Sequence, residues 1–139
     1  MASADDLRTR ISSGQVALRA AIAGARGVWE NAPDDGSEGE ESWSPRQVAE
    51  HVIGAEAYFA GAVAGAIEQS GPERAELSLA STDEALTALD SAVAAADQVY
   101  AALADDDLAK EIGGGTVESL LEIHAGHELD HAQQIASAS

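Results

Sequence analysis

Three of the chain's four histidines fall in one string, HAGHELDHAQQI (124–135), and the fourth is His51. A neutral imidazole offers a metal ion one nitrogen at about 2.0–2.1 Å. There are no cysteines, which excludes disulfides, a cysteine nucleophile and thiolate ligation, so any metal here takes nitrogen and oxygen donors. His127 and His131 stand at i, i+4, one helical turn apart, a spacing that lets two rings converge on a single ion. His51 on a facing helix would supply the third corner. Three protein ligands leave a position open for water or substrate, as in catalytic rather than structural sites.

The same residues, His127-Glu128-Leu129-Asp130-His131, also match the H-E-x-x-H template of zinc peptidases, with Glu128 as general base. Three features weigh against that reading. The usual third ligand lies further downstream, and little chain follows His131. Asp130 puts a charge where the template is usually uncharged, and no strand is predicted that could hold an extended substrate. Glu128 falls roughly 80° from the centre of the histidine arc, so it is expected to border the site as a candidate catalytic residue.

Four helices are predicted to position these groups. Apolar residues recur at helical spacing, alanine is abundant, and strand alternation is lacking. The first helix is expected over roughly 4–30, with Leu7, Ile11, Leu18, Ile22, Ala25 and Trp29 on its stripe. NAPDDGSEGEES (31–42) breaks it; its five acids could meet a cation but lack the calcium-loop pattern, so it reads as a surface loop. WSPRQV starts the second helix: Ser44 as N-cap, Pro45 at N1, Gln47 closing a capping box, and Trp43 with Val48 as hydrophobic staple. It runs to about Gln69, where Gly71-Pro72 stops it. Ser81 and Glu84 form a second box before a third helix whose stripe includes Leu86, Leu89, Val93, Ala96, Tyr100 and Leu103. A connector over 104–115 leads to Thr116, the cap of the fourth. These elements make an all-α, four-helix bundle over a single domain, 1–139.

At about 100° per residue, Leu120, His124, His127 and His131 share an arc of roughly 60° on the fourth helix. His51 shares a stripe with Val48, Ala55, Tyr58 and Ala62. All four histidines are therefore expected to face inward. A buried imidazole without partners costs about 1–3 kcal/mol, which a shared cation would offset. His124 reads as a group that orients a ligand, as a general base near a bound water, or as a core histidine. Tyr58 reads as a proton donor or as packing.

Composition narrows the partners. With 25 acidic against 7 basic residues the formal charge is −18, a field that repels nucleic acid and anionic membranes. The bland account is a solvated acidic surface; adaptation to high salt is the alternative. MASADDLRTR lacks the apolar core of a signal peptide, and YFAGAVAGAI (58–67) is too short to span a bilayer, so a cytoplasmic protein is expected.

Trp43 to Val52 reads W-S-P-x-x-V-x-x-H-V, and Thr116 to Ile135 reads T-V-x-x-L-L-x-x-H-x-x-H-x-x-x-H-x-x-Q-I. Together they resemble the DinB/YfiT-like superfamily of four-helix metalloproteins. The resemblance implies a metal triad of His51, His127 and His131, with Gln134 a frequent companion of the last ligand. It implies zinc or nickel as the single divalent metal, an up-down-down-up helix order and a homodimer, for which the apolar Leu129 would suit the contact. Members include S-transferases that use low-molecular-weight thiols such as bacillithiol or mycothiol, a maleylpyruvate isomerase and amidohydrolase-like proteins. The resulting expectation is metal-dependent transfer of a thiol co-substrate onto a small-molecule electrophile. The alternatives are hydrolysis by metal-activated water and a non-catalytic metal-binding or stress-associated bundle.

Overall fold

Every long helix begins on a serine or threonine whose hydroxyl accepts an orphan backbone N–H of the first turn. Ser3 opens α1 (Ala4–Gly24), Ser44 opens α2 (Pro45–Ala66), Ser81 opens α3 (Thr82–Tyr100) and Thr116 opens α4 (Val117–Ala136) in a computed structural model that describes residues 3–138. The box at Ser44 and Gln47 forms as expected, with bonds in both directions. At α3 only half of the expected box is made: Ser81 accepts from the Glu84 N–H, and Glu84 makes no return bond. Ser3 with Asp6, and Thr116 with Ser119, form boxes that the template with glutamate or glutamine missed.

The ends of the helices come earlier than predicted. Helix α1 stops at Gly24, and Arg26–Val28 form a single 3-10 turn that carries Trp29 inward. There the Trp29 indole donates to the Leu79 carbonyl at 2.8 Å, a tertiary bond that competes with helix continuation. Helix α2 gives way at Ala66, followed by Glu68 in the left-handed region (φ 58°). A minimal ladder also appears where no strand was expected. β1 (Glu111–Ile112) pairs antiparallel with β2 (Gly115–Thr116) around Gly113, whose φ of 57° suits a residue without a Cβ. The ladder delivers Thr116 to its capping position.

Apolar packing defines the topology. One core cluster joins Leu7 and Ile11 near the start of α1 to Ala60 and Val63 late in α2, Ala96 and Val99 late in α3, and Leu121 early in α4. The other joins Leu18 and Ile22 to Val48 and Val52, Ala85 and Leu89, and Ala132 and Ile135. Helices α1 and α4 therefore run one way and α2 and α3 the other, the up-down-down-up order. Helix α4 packs on α1 and α2, and α3 on α1 and α2, so α1/α2 and α3/α4 are the diagonals. No helix among the described residues is long and apolar enough to cross a membrane.

Because α2 and α3 are parallel, the link 67–81 must travel back along the bundle. It does so against α2: Gly71 lies on Ala64, the Pro72 carbonyl on Gly61, Arg74 by Gly54, and Leu79 donates its N–H to Glu50 at 2.8 Å. A Cβ at Gly61 would stand 2.7 Å from the Pro72 oxygen. Alanine normally improves a helix interior by about 1 kcal/mol over glycine. Gly61→Ala is expected instead to destabilise by about 1–2 kcal/mol through this clash. Gly126→Ala, with open space at its Cβ, should stabilise. Urea denaturation of the two variants checks the pair.

Candidate metal centre

The structure brings together the three histidines that spacing had paired. His51 on α2 places its Nε2 3.2 Å from His127 Nε2 on α4, and His131 Nε2 stands 3.1 Å from the same atom. One potential ligand atom from each ring lies within 4.8 Å of the others. Donors held at about 2.0–2.1 Å around one ion are themselves about 3.0–3.4 Å apart, so the spacing suits a shared cation. The site sits on the flank of the bundle, with His131 buried and His51 and His127 half-buried.

Gln134, one turn beyond His131, fixes the geometry. Its Oε1 lies 2.9 Å from His131 Nδ1, so that nitrogen carries the proton and Nε2 keeps its lone pair toward the other rings. Its amide nitrogen donates to the Glu40 carbonyl at 2.6 Å, tying the acidic loop over the site. The Glu40 carboxylate reaches within 3.6 Å of His51 Nε2, and the Trp43 ring packs edge-on to His51 at 5.2 Å. Beside them lies an open cavity of about 520 Å³, with Trp43, Val48 and Gln134 on its wall and Asp34, Asp35 and Glu41 from the loop.

Protons alone leave this cluster poorly satisfied. With the His131 proton spent on Gln134, His127 Nε2 acts as donor or as acceptor toward one neighbour only, and the other close contact is left without a hydrogen bond. His127 Nδ1 is buried without a partner. Burial, then the neighbouring His131 and His51, lower the His127 pKa to about 4; burial, then His131, lower that of His51. Neutral rings with lone pairs aimed at one point are the state a divalent cation takes up. The residues fit such an ion.

The other candidates are placed differently. Tyr58 is 55% exposed and points away from the interior. The core line of α2 runs through Val52, Phe59 and Val63, so Tyr58 sits about 100° round from Phe59, and the inward stripe assigned to it was the helix's flank. Glu128 does not border the triad: it is 0% exposed, at the centre of the buried face of α4, with its Cβ against Gly14 of α1. The buried face of α4 follows Leu121, His124, Glu128 and Ile135, and the triad histidines lie on its edge toward α2. A zinc-peptidase role for Glu128 has no support in this arrangement.

His124 belongs to a second cluster rather than to the triad. Its Nδ1 meets the Tyr100 hydroxyl at 2.9 Å, and its Nε2 faces Glu56 Oε2 at 3.1 Å and Glu128 Oε1 at 3.0 Å. Gln15 of α1 donates to Glu56 at 3.2 Å, and the Phe59 ring stacks on His124 at 4.6 Å. Burial works against the imidazolium, but hydrogen bonds with Glu128 and Glu56 outweigh it and raise His124 to about 9. Burial, with Glu56 beside it, raises Glu128 to about 9, while His124 and Glu128 hold Glu56 below its usual value against its own burial. Both ring nitrogens being engaged, and the ring 1% exposed, His124 is not poised as a base for the triad. Sequence reading missed Glu56, Gln15 and the polar use of Tyr100. The available signal was Glu56 itself, the one charge in VIGAEAYFAGAVAGAI (52–67).

A four-helix bundle in which the second and fourth helices present an imidazole triad is the class that fold and site define. The sequence profile of the DinB superfamily matches residues 17–135, and the chain belongs to that superfamily. Comparisons with curated proteins and with solved structures return no match.

The lowered His127 pKa has a consequence for metal-free protein. Folded His127 resists a proton that the unfolded ring accepts near 6.5, so its contribution is present above pH 6.5 and lost as pH falls toward about 4. The denaturation midpoint of metal-free protein is expected to drop across that window, and to drop less steeply in His127→Gln. Urea melts at stepped pH measure it.

Proposed function

We propose that this DinB-superfamily chain holds a divalent transition metal, zinc or nickel, on His51, His127 and His131, and transfers a low-molecular-weight thiol onto a small electrophile there. The observation that carries the reading is the meeting of three Nε2 atoms from two helices at 3.1–3.2 Å separations. Such an ion supplies Lewis acidity that lowers the pKa of a thiol or water brought to it.

The chain's own residues supply the rest. Gln134 orients His131 and, through the Glu40 carbonyl, anchors the loop that walls the cavity. Glu40 stands where it can take a proton from an incoming thiol or water, its carboxylate beside His51. The Trp43 ring and Val48 offer apolar surface for an electrophile, while Asp34, Asp35 and Glu41 favour neutral or cationic substrates over anionic ones. We extend the reading to a homodimer through α4, whose Ile123 and Leu129 are exposed.

His131→Ala is expected to weaken zinc and nickel binding at the triad by well over 100-fold, and Gln134→Ala by about 10–100-fold. Competitive chelator titration with retained helical circular dichroism measures both. Metal-loaded protein should conjugate a chromogenic electrophile with at least one of a panel of biological thiols, and His131→Ala should not. Full triad occupancy without turnover on any thiol would overturn the transferase and leave a metal-binding module.

A further inference from the structure

We propose a second metal site, distinct from the histidine triad, in which Glu56, His124 and Glu128 bind a divalent cation in the middle of the bundle. The three side chains lie in a polar layer, with Gln15, between the two apolar clusters. They are enclosed: Glu56 is 0% exposed, His124 1% and Glu128 0%.

The donor atoms have metal-ligand spacing. His124 Nε2 is 3.1 Å from Glu56 Oε2 and 3.0 Å from Glu128 Oε1, and one atom from each residue lies within 4.8 Å of the others. That matches the roughly 3.0–3.4 Å edges of a coordination sphere with bonds near 2.1 Å. The cluster is also short of hydrogen-bond donors. The His124 contact with hydrogen-bond geometry and the Gln15 amide both fall on Glu56 Oε2. Glu56 Oε1 and Glu128 Oε2 are buried with no partner, and Glu128 Oε1 has only its contact with His124 Nε2. Unpartnered carboxylate oxygens aimed at a shared centre are what a cation requires.

The surroundings hold the ligands as metal sites do. Tyr100 meets His124 Nδ1 at 2.9 Å, Phe59 stacks on the ring, and Gln15 holds Glu56. Tyr100 is fixed in turn by Arg8, which donates to the Tyr100 and Leu103 carbonyls at 2.8 and 3.1 Å. On taking up the ion, His124 and Glu128 would each release a proton, and the two carboxylates then carry two negative charges, which a divalent ion cancels inside the core. One nitrogen and two carboxylates form a harder set than the all-nitrogen triad, so manganese or iron(II) is the matching class of ion.

The full chain, refolded with Mn²⁺ so that burial does not limit entry, tests the assignment. The variant His131→Ala, disabled at the triad, should retain one equivalent of Mn²⁺ by equilibrium dialysis and loss of the free-ion paramagnetic resonance signal. Adding Glu128→Gln or, separately, Glu56→Gln to that variant should weaken binding at least 100-fold, and Mn²⁺ should raise the melting temperature of His131→Ala but not of the double variants. Both glutamines keep the side-chain volume, and circular dichroism verifies their helices. No Mn²⁺ on His131→Ala, or unchanged binding in the folded double variants, overturns the site and leaves a proton-sharing network. Neither result bears on the triad, which wild-type and Glu128→Gln protein report through zinc.

Discussion

The histidine triad exists because α2 and α4 are neighbours, and that adjacency is a property of the crossover. In a bundle whose helices follow one another around the ring, the second and fourth sit on a diagonal, and His51 would face away from His127 and His131. Here the link 67–81 returns along α2 and starts α3 at the end where α2 began, so α4 fills the place between α1 and α2. Gly61 and Gly71 make room for that return path. The site therefore depends on residues that never touch it. Trp29 contributes in the same way: its indole holds the Leu79 carbonyl, while its own carbonyl accepts from Arg46 N–H at the start of α2.

Among the described residues no arginine or lysine pairs with the two buried carboxyls at the centre of the bundle. Glu56 and Glu128 are buried, yet five of the seven basic side chains pair elsewhere: Arg8 with Asp5, Arg10 with Glu122, Arg19 with Asp90, Arg46 with Glu30 and Glu50, Lys110 with Asp107. Arg26 lies on the 3-10 turn after α1. Arg74 lies along the link by Gly54. Among the described residues the imidazole of His124 is the cationic partner within reach of the two carboxylates. Each buried oxygen left without a donor costs about 1–3 kcal/mol. A fold that carries such a deficit at its centre, with apolar packing above and below, places a functional demand on those residues.

Much of this was legible in the sequence, for reasons that differ by element. Caps are local chemistry, so Ser44-Pro45 and Thr116 announce their helices. The i, i+4 pairing of His127 and His131 is set within one helix and needs no tertiary knowledge. That His51 faces inward followed from its stripe, and the resemblance to a family made it the third member of the triad; the helix order came from that resemblance alone. What could not be read was rotation: which line of α2 and α4 the neighbours choose to bury. A stripe drawn through His51 put Tyr58 inside, and an arc drawn through the histidines put Glu128 at the rim. In fact the buried line of α2 runs through Phe59, whose ring lies against His124 and His127 of α4, and that of α4 runs through Glu128, against Gly14 of α1. The helix ends were set by competing tertiary bonds, as at Trp29, which propensity does not contain.

Helix α4 carries two donor pairs at the same spacing, His124 with Glu128 and His127 with His131, offset by three residues and thus by about 60° around the axis. That offset turns the first pair into the bundle's centre, toward α1 and Glu56, and the second toward the flank of α2. The Phe59 ring lies against both His124 and His127, at 4.6 and 5.8 Å. Each pair draws on its own part of α2, Glu56 for one and His51 for the other, so two separate polar contacts hold α4 against α2. Polar groups in the middle of α4 and apolar groups toward its ends therefore both bear on its rotational setting. A histidine triad on the flank of a bundle gains its fixed geometry from that division.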